Sequence, residues 1–292
     1  MSLPEPPTIP RCYRHADREG GRNCTRCGKP ACSQCLVQAA VGSHCLDCAK
    51  AARPDVKTRA KLASSSVLTP VTYTIIGLNV AVFLVMVLLD PKTLGSNVTE
   101  AHYNLGINKQ ILHGGVGNWD QTAAIPPHQW YRLVTAGFIH FGVLHVAMNM
   151  FLLYQLGGLL ERALGPVKLI LLYAAGLLAG SLGALLIDTG GFTGGASGAV
   201  FGLMAGAAVG MHRRGINIFS TGIGTTLLLN IVITFTISGI SKGGHIGGAL
   251  AGAVCGFVML APGWKPLPKW AGYTLPLAVA VFSVVASVAV VG

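Results

Sequence analysis

"GGASGAVFG", residues 194–202, sets a serine between glycines at the mouth of a segment that is otherwise apolar and carries no charge until Arg213. From this stretch onward glycine keeps a four-residue step, at Gly198, Gly202, Gly206 and Gly210, and a second segment repeats it at Gly248, Gly252 and Gly256. Residues four apart share one side of a helix, so each segment would present a smooth face against which another backbone can lie closely. The stretch therefore predicts two helices in tight contact in apolar surroundings, with a hydroxyl at the start of one of them.

The rest of the chain supplies those surroundings. Of 292 residues, 52% are hydrophobic and only 11% are charged, and the mean hydropathy is +0.59, which places the chain among membrane proteins. Seven segments approach the ~20 residues that cross a bilayer: 71–89, 134–158, 167–187, 197–212, 217–237, 244–261 and 272–291. The net charge of +11 could suggest nucleic acid, but its placement points to topology. Lys50, Arg53, Lys57, Arg59, Lys61, Arg162, Lys168, Arg213, Arg214, Lys265 and Lys269 fall on one side of the membrane, against Lys92, Lys109, Arg132 and Lys242 on the other. The positive-inside rule puts the N-terminus in the cytoplasm and the C-terminus outside. The N-terminus is proline-rich and polar, with no cleavable signal apparent. We expect a multi-pass protein of the plasma membrane, with a small soluble head at 1–52, a basic linker at 53–69, a membrane core at 70–261 and a loop with an added seventh helix at 262–292.

The head holds seven of the eight cysteines in four short pairs: Cys12-x-x-His15, Cys24-x-x-Cys27, Cys32-x-x-Cys35 and Cys45-x-x-Cys48. Eight soft ligands suffice for two tetrahedral Zn2+ sites, and a two-residue gap lets both members of a pair reach one ion. A disulfide framework fits poorly, because the cysteine count is odd and the inferred compartment is reducing. The pattern resembles B-box-like and RING-like cross-braced zinc fingers. That resemblance implies Cys12, His15, Cys32 and Cys35 on one structural zinc, and Cys24, Cys27, Cys45 and Cys48 on the other. His44 is the runner-up ligand. Scattered basic residues and scarce aromatics disfavour nucleic acid as the head's partner, and a cytoplasmic protein is the alternative.

With this topology the second, fourth and sixth spans all enter from outside, and each carries polar chemistry near its start: His140, His145 and Asn149; Ser197; His245. Polar groups in hydrocarbon are costly, so several at one depth indicate a site. A serine becomes nucleophilic when a base takes its proton, and His245 opens the other glycine-rich helix. His145 and Asn149, four apart, could both donate to a developing oxyanion, and the start of a helix at Ser197 adds free backbone N–H groups.

"GGASG", "HFGVLHVAMN" and "GGHIGGALAG", together with "WYR" at 130–132, resemble the motifs of the rhomboid family of intramembrane serine proteases, in order and spacing over roughly residues 70–260. The resemblance implies a six-helix bundle, here with one extra C-terminal helix (six plus one). It implies Ser197 as nucleophile and His245 as general base. The oxyanion hole would be His145, Asn149 and the Ser197 N–H, with Gly195 in the loop to the nucleophile. It makes Arg132 and His140 structural. "LLER", with Glu161 and Arg162, fits the end of the family's second helix. Phe201 departs from the family, where many members carry tyrosine under the histidine ring. The implied activity is hydrolysis of peptide bonds in or near transmembrane segments of membrane proteins, with no catalytic cofactor. The alternatives are an inactive relative that binds and routes membrane clients, and a transporter, against which charged residues are missing from the span centres. Asn97-Val98-Thr99 has the form of a glycosylation acceptor, Cys255 reads as a packing residue, and His102, His113 and His128 show no ligand spacing.

Overall fold

The structure, a computed structural model, describes residues 9–39, 42–51, 69–114, 117, 119–188 and 191–292. Arg53, Lys57, Arg59 and Lys61 of the basic linker lie outside these. The chain divides into two compact units, 1–68 and 69–292.

The first unit is small and built from turns. Two short antiparallel pairs, β1 (Arg22–Asn23) with β2 (Pro30–Ala31) and β3 (Leu36–Gln38) with β4 (Ser43–Cys45), are followed by α1 (Leu46–Ala51). Its buried residues include Cys12, Cys24, Ala31, Cys32, Cys35 and Cys45, with Tyr13, Leu36 and Leu46 packed against the cluster of Cys12, Ala31, Cys32 and Cys35. An apolar core this small cannot offset the chain entropy by itself, which is the usual situation of metal-dependent modules.

The second unit is helical among its described residues. Seven longer helices are α2 (Pro70–Leu89), α6 (Val143–Leu164), α7 (Pro166–Ile187), α8 (Ser197–His212), α9 (Ile223–Thr236), α10 (Lys242–Met259) and α11 (Ala271–Val291). Between α2 and α6 run three short ones, α3 (Glu100–Leu105), α4 (Lys109–His113) and α5 (Arg132–Thr135). Helices α2, α6, α7 and α11 are long and apolar enough to cross a membrane by themselves; α8 and α9 are shorter apolar helices. Large side chains such as Leu84 and Leu88 on α2, Leu228 and Phe235 on α9, and Val281 and Phe282 on α11 face outward. That is the surface a multi-pass membrane protein turns to lipid.

Helices α7, α8 and α10 form the centre. A β-carbon at Gly248 would overlap the Gly198 carbonyl oxygen, and one at Gly252 the Gly202 carbonyl. One at Gly256 would lie 2.5 Å from the Gly206 Cα. The two glycine stripes therefore meet residue against residue, in the close packing their period predicts. Helix α7 joins them through glycines the sequence reading passed over: an added β-carbon at Gly180 would sit 3.1 Å from the Gly198 Cα and the Gly244 carbonyl oxygen. Around this hub pack Leu153, Leu169, Leu172, Leu203, Met204 and Cys255, all wholly buried. The seventh helix, α11, lies along α7, with the Lys168 ammonium 4.8 Å from the centre of the Tyr273 ring.

Three helix edges differ from expectation. The segment expected at 134–158 becomes a helix only at Val143, because Gly142 adopts φ +90 and breaks the chain direction after the single turn of α5. His140 thus lies in the loop before α6. At the other end α6 runs on to Leu164, past Glu161, which ties it to α2. The Glu161 carboxylate accepts from the N–H groups of Val71 (3.0 Å) and Thr72 (2.8 Å) and from the Thr72 hydroxyl (2.7 Å). The free N–H groups at the start of α2 stabilise that buried charge. The segment expected at 217–237 starts its helix at Ile223, after a tight turn over Ile218–Thr221 that closes at Gly222, φ +78.

Candidate functional site

Ser197 is the first residue of α8, and the loop that leads to it is held from three sides. Thr193 exchanges two backbone bonds with Ile107 (2.9 and 3.0 Å), and the Gly195 N–H donates to the Ala136 carbonyl (2.7 Å). The Ala196 N–H reaches His140 Nε2 at 3.4 Å. The helix ladder begins with Val200 N–H to Ala196 O at 3.0 Å, so the amides before it have no partner inside the helix. Ser197 also lines a cavity of ≈ 30 Å³ with Gly194, Gly195, Ser241 and Gly244, room for a water molecule.

His145 stands against this loop. A β-carbon at Gly195, already at φ +123, would fall 2.8 Å from His145 Nε2. Only glycine combines that backbone angle with a ring so close. His145 Nδ1 accepts from the Phe141 N–H (3.3 Å), so the neutral ring carries its proton on Nε2, on the side facing Gly195. One turn further, Asn149 is buried and bonds back to the His145 carbonyl through Nδ2 (3.0 Å), which leaves a second amide hydrogen unspent. His140 supports the loop through Ala196.

His245 lies in the first turn of α10, near the point where α8 and α10 touch. An added β-carbon at Gly198 would sit 3.3 Å from the Gly244 carbonyl oxygen, and Ser197 and His245 are the chain neighbours of that contact. The imidazole is stacked on Phe201 from α8, ring centres 4.0 Å apart and planes 16° from parallel, so phenylalanine supplies a stacking face without the hydroxyl a tyrosine would add. Its Nδ1 lies 2.7 Å from the Thr234 hydroxyl of α9. The start of α10 is itself tied down: Asp188 accepts from the Ser241 hydroxyl (2.5 Å) and from the Gly243 N–H (3.1 Å), and Ser241 Oγ caps Gly244 (2.9 Å). The Ser197 hydroxyl makes no hydrogen bond to His245 or to any other described residue.

The sequence reading missed Thr234 and Asp188, whose partners lie on other helices. It also gave His102 no role beyond noting that its spacing fits no metal. That side chain is fully buried, takes the Thr99 N–H (3.1 Å) and hydroxyl (2.8 Å) on Nδ1, and donates from Nε2 to the His140 carbonyl (3.0 Å). Burial lowers its pKa below the ordinary value, which keeps it in the neutral form this pattern needs. Thr99 of the Asn97-Val98-Thr99 triplet is thereby spent as a helix cap. Arg132 is 1% exposed and donates to the carbonyls of Tyr103 (2.7 Å) and Gly106 (2.9 Å) and to Gln129 (2.8 Å), closing the loop between α3 and α5.

In the first unit the eight Cys and His ligands gather into two groups, Cys12 with His15, Cys32 and Cys35, and Cys24 with Cys27, Cys45 and Cys48, each with its ligand atoms within 4.8 Å of one another. The grouping is first pair with third and second with fourth. Sulfur and nitrogen atoms stand 3.4 to 3.9 Å apart (Cys35 Sγ to His15 Nδ1, Cys12 Sγ to His15 Nδ1), and Cys27 Sγ lies 3.7 Å from Cys45 Sγ. A tetrahedral ion with ~2.3 Å metal–sulfur bonds has edges of about 3.8 Å, so the residues fit a metal such as zinc. Around them, the Cys45 N–H points at Cys24 Sγ (3.1 Å) and Gly28, φ +76, closes the turn after Cys27. His15 draws the Cys32 thiol below its ordinary pKa, toward the thiolate a metal requires. His44 lies outside both groups.

Residues 127–262 match the family model described as the rhomboid domain. Over 185 residues, 62% of this chain and 33% of the relative, the sequence is 30% identical to rhomboid protease GluP of Bacillus subtilis. It is 32% identical over 152 residues to RHOMBOID-like protein 4 of Arabidopsis thaliana, covering 50% of this chain and 38% of that one. It is 31% identical over 134 residues to rhomboid protease GlpG of Yersinia pseudotuberculosis, covering 44% and 48%. The chain thus spans about a third to a half of the length of these relatives. Over residues 127–262 this multi-pass membrane protein is thus similar to the rhomboid domain.

Proposed function

We propose that the protein is an intramembrane serine endopeptidase that cuts peptide bonds in or near the transmembrane segments of other membrane proteins. One observation carries the reading: α8, which begins at Ser197, and α10, whose first turn holds His245, are packed backbone to backbone while Phe201 holds the imidazole by stacking. No side chain in the glycine stripes separates the two helix starts, which puts hydroxyl and base on adjoining helix ends.

Ser197 Oγ attacks the scissile carbonyl while His245 takes its proton and passes it to the leaving amine; water then hydrolyses the acyl-enzyme. Negative charge builds on the carbonyl oxygen. His145 Nε2–H, the spare amide hydrogen of Asn149 and the backbone N–H of Ser197 are the donors available to hold it. A substrate helix has to expose its backbone to be cut, so segments weakened by glycine or proline are the expected targets.

The catalytic core is assigned to residues 70–261, with the helix at 262–292 as an addition without chemistry. The head, 1–52, binds two structural zinc ions and serves as a cytoplasmic contact module for a protein partner, connected by the basic linker 53–69. The orientation follows the positive charges: head in the cytoplasm, active-site opening outside, in a plasma membrane. The test is cleavage of a labelled transmembrane substrate by protein reconstituted in lipid, comparing wild type, Ser197→Ala and His245→Ala. Loss in both folded variants establishes the peptidase. Absence of cleavage and of fluorophosphonate labelling in the wild type supports the inactive client-binding relative instead.

A further inference from the structure

The base of the proposed dyad has a partner on a third helix. Thr234 is 1% exposed and His245 8%, and Thr234 Oγ1 lies 2.7 Å from His245 Nδ1. The same hydroxyl lies 2.6 Å from the Asn230 carbonyl oxygen, one turn back in α9. A carbonyl only accepts, so the single threonine hydrogen points to Asn230, and the threonine oxygen is left as the acceptor toward His245. Nδ1 of His245 must then carry a hydrogen.

We propose that Thr234 is a positioning residue that fixes the tautomer and ring angle of His245, making a Ser197–His245–Thr234 relay of orientation. The inference rests on the peptidase reading. In a neutral imidazole, a proton on Nδ1 leaves Nε2 as the lone-pair nitrogen, the one left to take the Ser197 proton. A third group hydrogen-bonded to the far side of the base does the same in serine hydrolases that use a carboxylate. A neutral hydroxyl orients the ring and adds no countercharge, which suits a site inside a membrane, where an extra carboxylate would be costly to bury. Phe201 fixes the plane of the imidazole and Thr234 fixes its rotation within that plane, so the two contacts together define its pose.

The test pairs two readouts on the full chain in lipid nanodiscs. The first is the 15N chemical shifts of histidine-labelled protein, with the His245 signal assigned by its loss in His245→Ala. The second is steady-state cleavage of the transmembrane substrate by wild type, Thr234→Val and Thr234→Ser. The expected result is an Nδ1–H tautomer in the wild type that is lost in Thr234→Val, whose kcat falls about tenfold or more with KM unchanged, while Thr234→Ser keeps most of both. An Nε2–H tautomer in the wild type overturns the proposal. So does a Thr234→Val enzyme within twofold of wild type, or a folded Thr234→Ser enzyme as slow as Thr234→Val. A wild type that neither cleaves nor labels defeats the peptidase reading alone, because the tautomer still decides whether Thr234 orients His245.

Discussion

The Phe201 ring lies face to face with the His245 imidazole, centres 4.0 Å apart and planes 16° from parallel, although the two come from different helices. Stacking of this kind contributes ~0.5–1.5 kcal/mol beyond the area it buries. Removing it would free the His245 imidazole to rotate away from Ser197, the hydroxyl it is proposed to serve. Phe201→Ala is expected to cut substrate turnover roughly tenfold, whereas Phe201→Tyr, which keeps the face and adds a hydroxyl, holds it within about threefold. Initial rates on a model transmembrane substrate, with folding checked by thermal melts, decide the matter; equal rates in Phe201→Ala and wild type would show that the ring only fills space.

Gly252 leaves no room for a side chain, since its β-carbon would overlap the Gly202 carbonyl oxygen. Backbone cannot step aside as a flexible side chain can, so Gly252→Ala forces α8 and α10 apart at a cost of about 1–3 kcal/mol. A melting temperature lowered by several degrees, together with slower cleavage, is the expected outcome. The same change at Gly77, whose β-carbon would meet nothing within 4 Å, serves as the silent control.

Asp188 latches the end of α7 to the start of α10 through Ser241 and the Gly243 N–H. Asp188→Ala leaves the Gly243 amide and the Ser241 hydroxyl without their acceptor, and we expect a loss of about 1–2 kcal/mol, typical of a helix cap. Asp188→Asn, which keeps one acceptor oxygen, is expected to lose less. Hydrogen exchange at residues 241–246 reads the effect directly: no faster exchange in Asp188→Ala would mean the latch holds nothing.

Two metal groups predict about two zinc ions per chain by elemental analysis, and about one after Cys24→Ser, which breaks only the second group. Strong chelation is expected to unfold residues 9–51, because the interior there consists of little besides the ligands themselves. Protection of residues 9–51 from protease that survives chelation would remove the metal from the folding argument.

Much of this candidate site is legible in the sequence, for physical reasons that differ from residue to residue. The glycine steps at 198–210 and 248–256 are periodic, and a period survives in one dimension. Ser197, His145, Asn149 and His245 stood out because each is polar within an apolar run. Thr234 did not, since a threonine in a membrane helix ordinarily satisfies itself on its own backbone. Its meaning arises only when α9 brings it to 2.7 Å from His245. Glycines 176, 180 and 183 were hidden for another reason, lying in a helix whose polar residues, Lys168, Tyr173 and Ser181, are no part of the cluster at the site. The start of α6 was misplaced because residues 133–143 carry no charge or proline to mark a stop, while the break there is a backbone angle at Gly142.

The carboxylate of Glu161 meets the N–H of Val71 across 90 positions of the chain. The residue that completes the opening turn of α2 is therefore made some 90 residues after that turn, at the far end of α6. Until then the leading amides of the first helix have only water to bond, and α2 gains its final start when the second long helix packs against it.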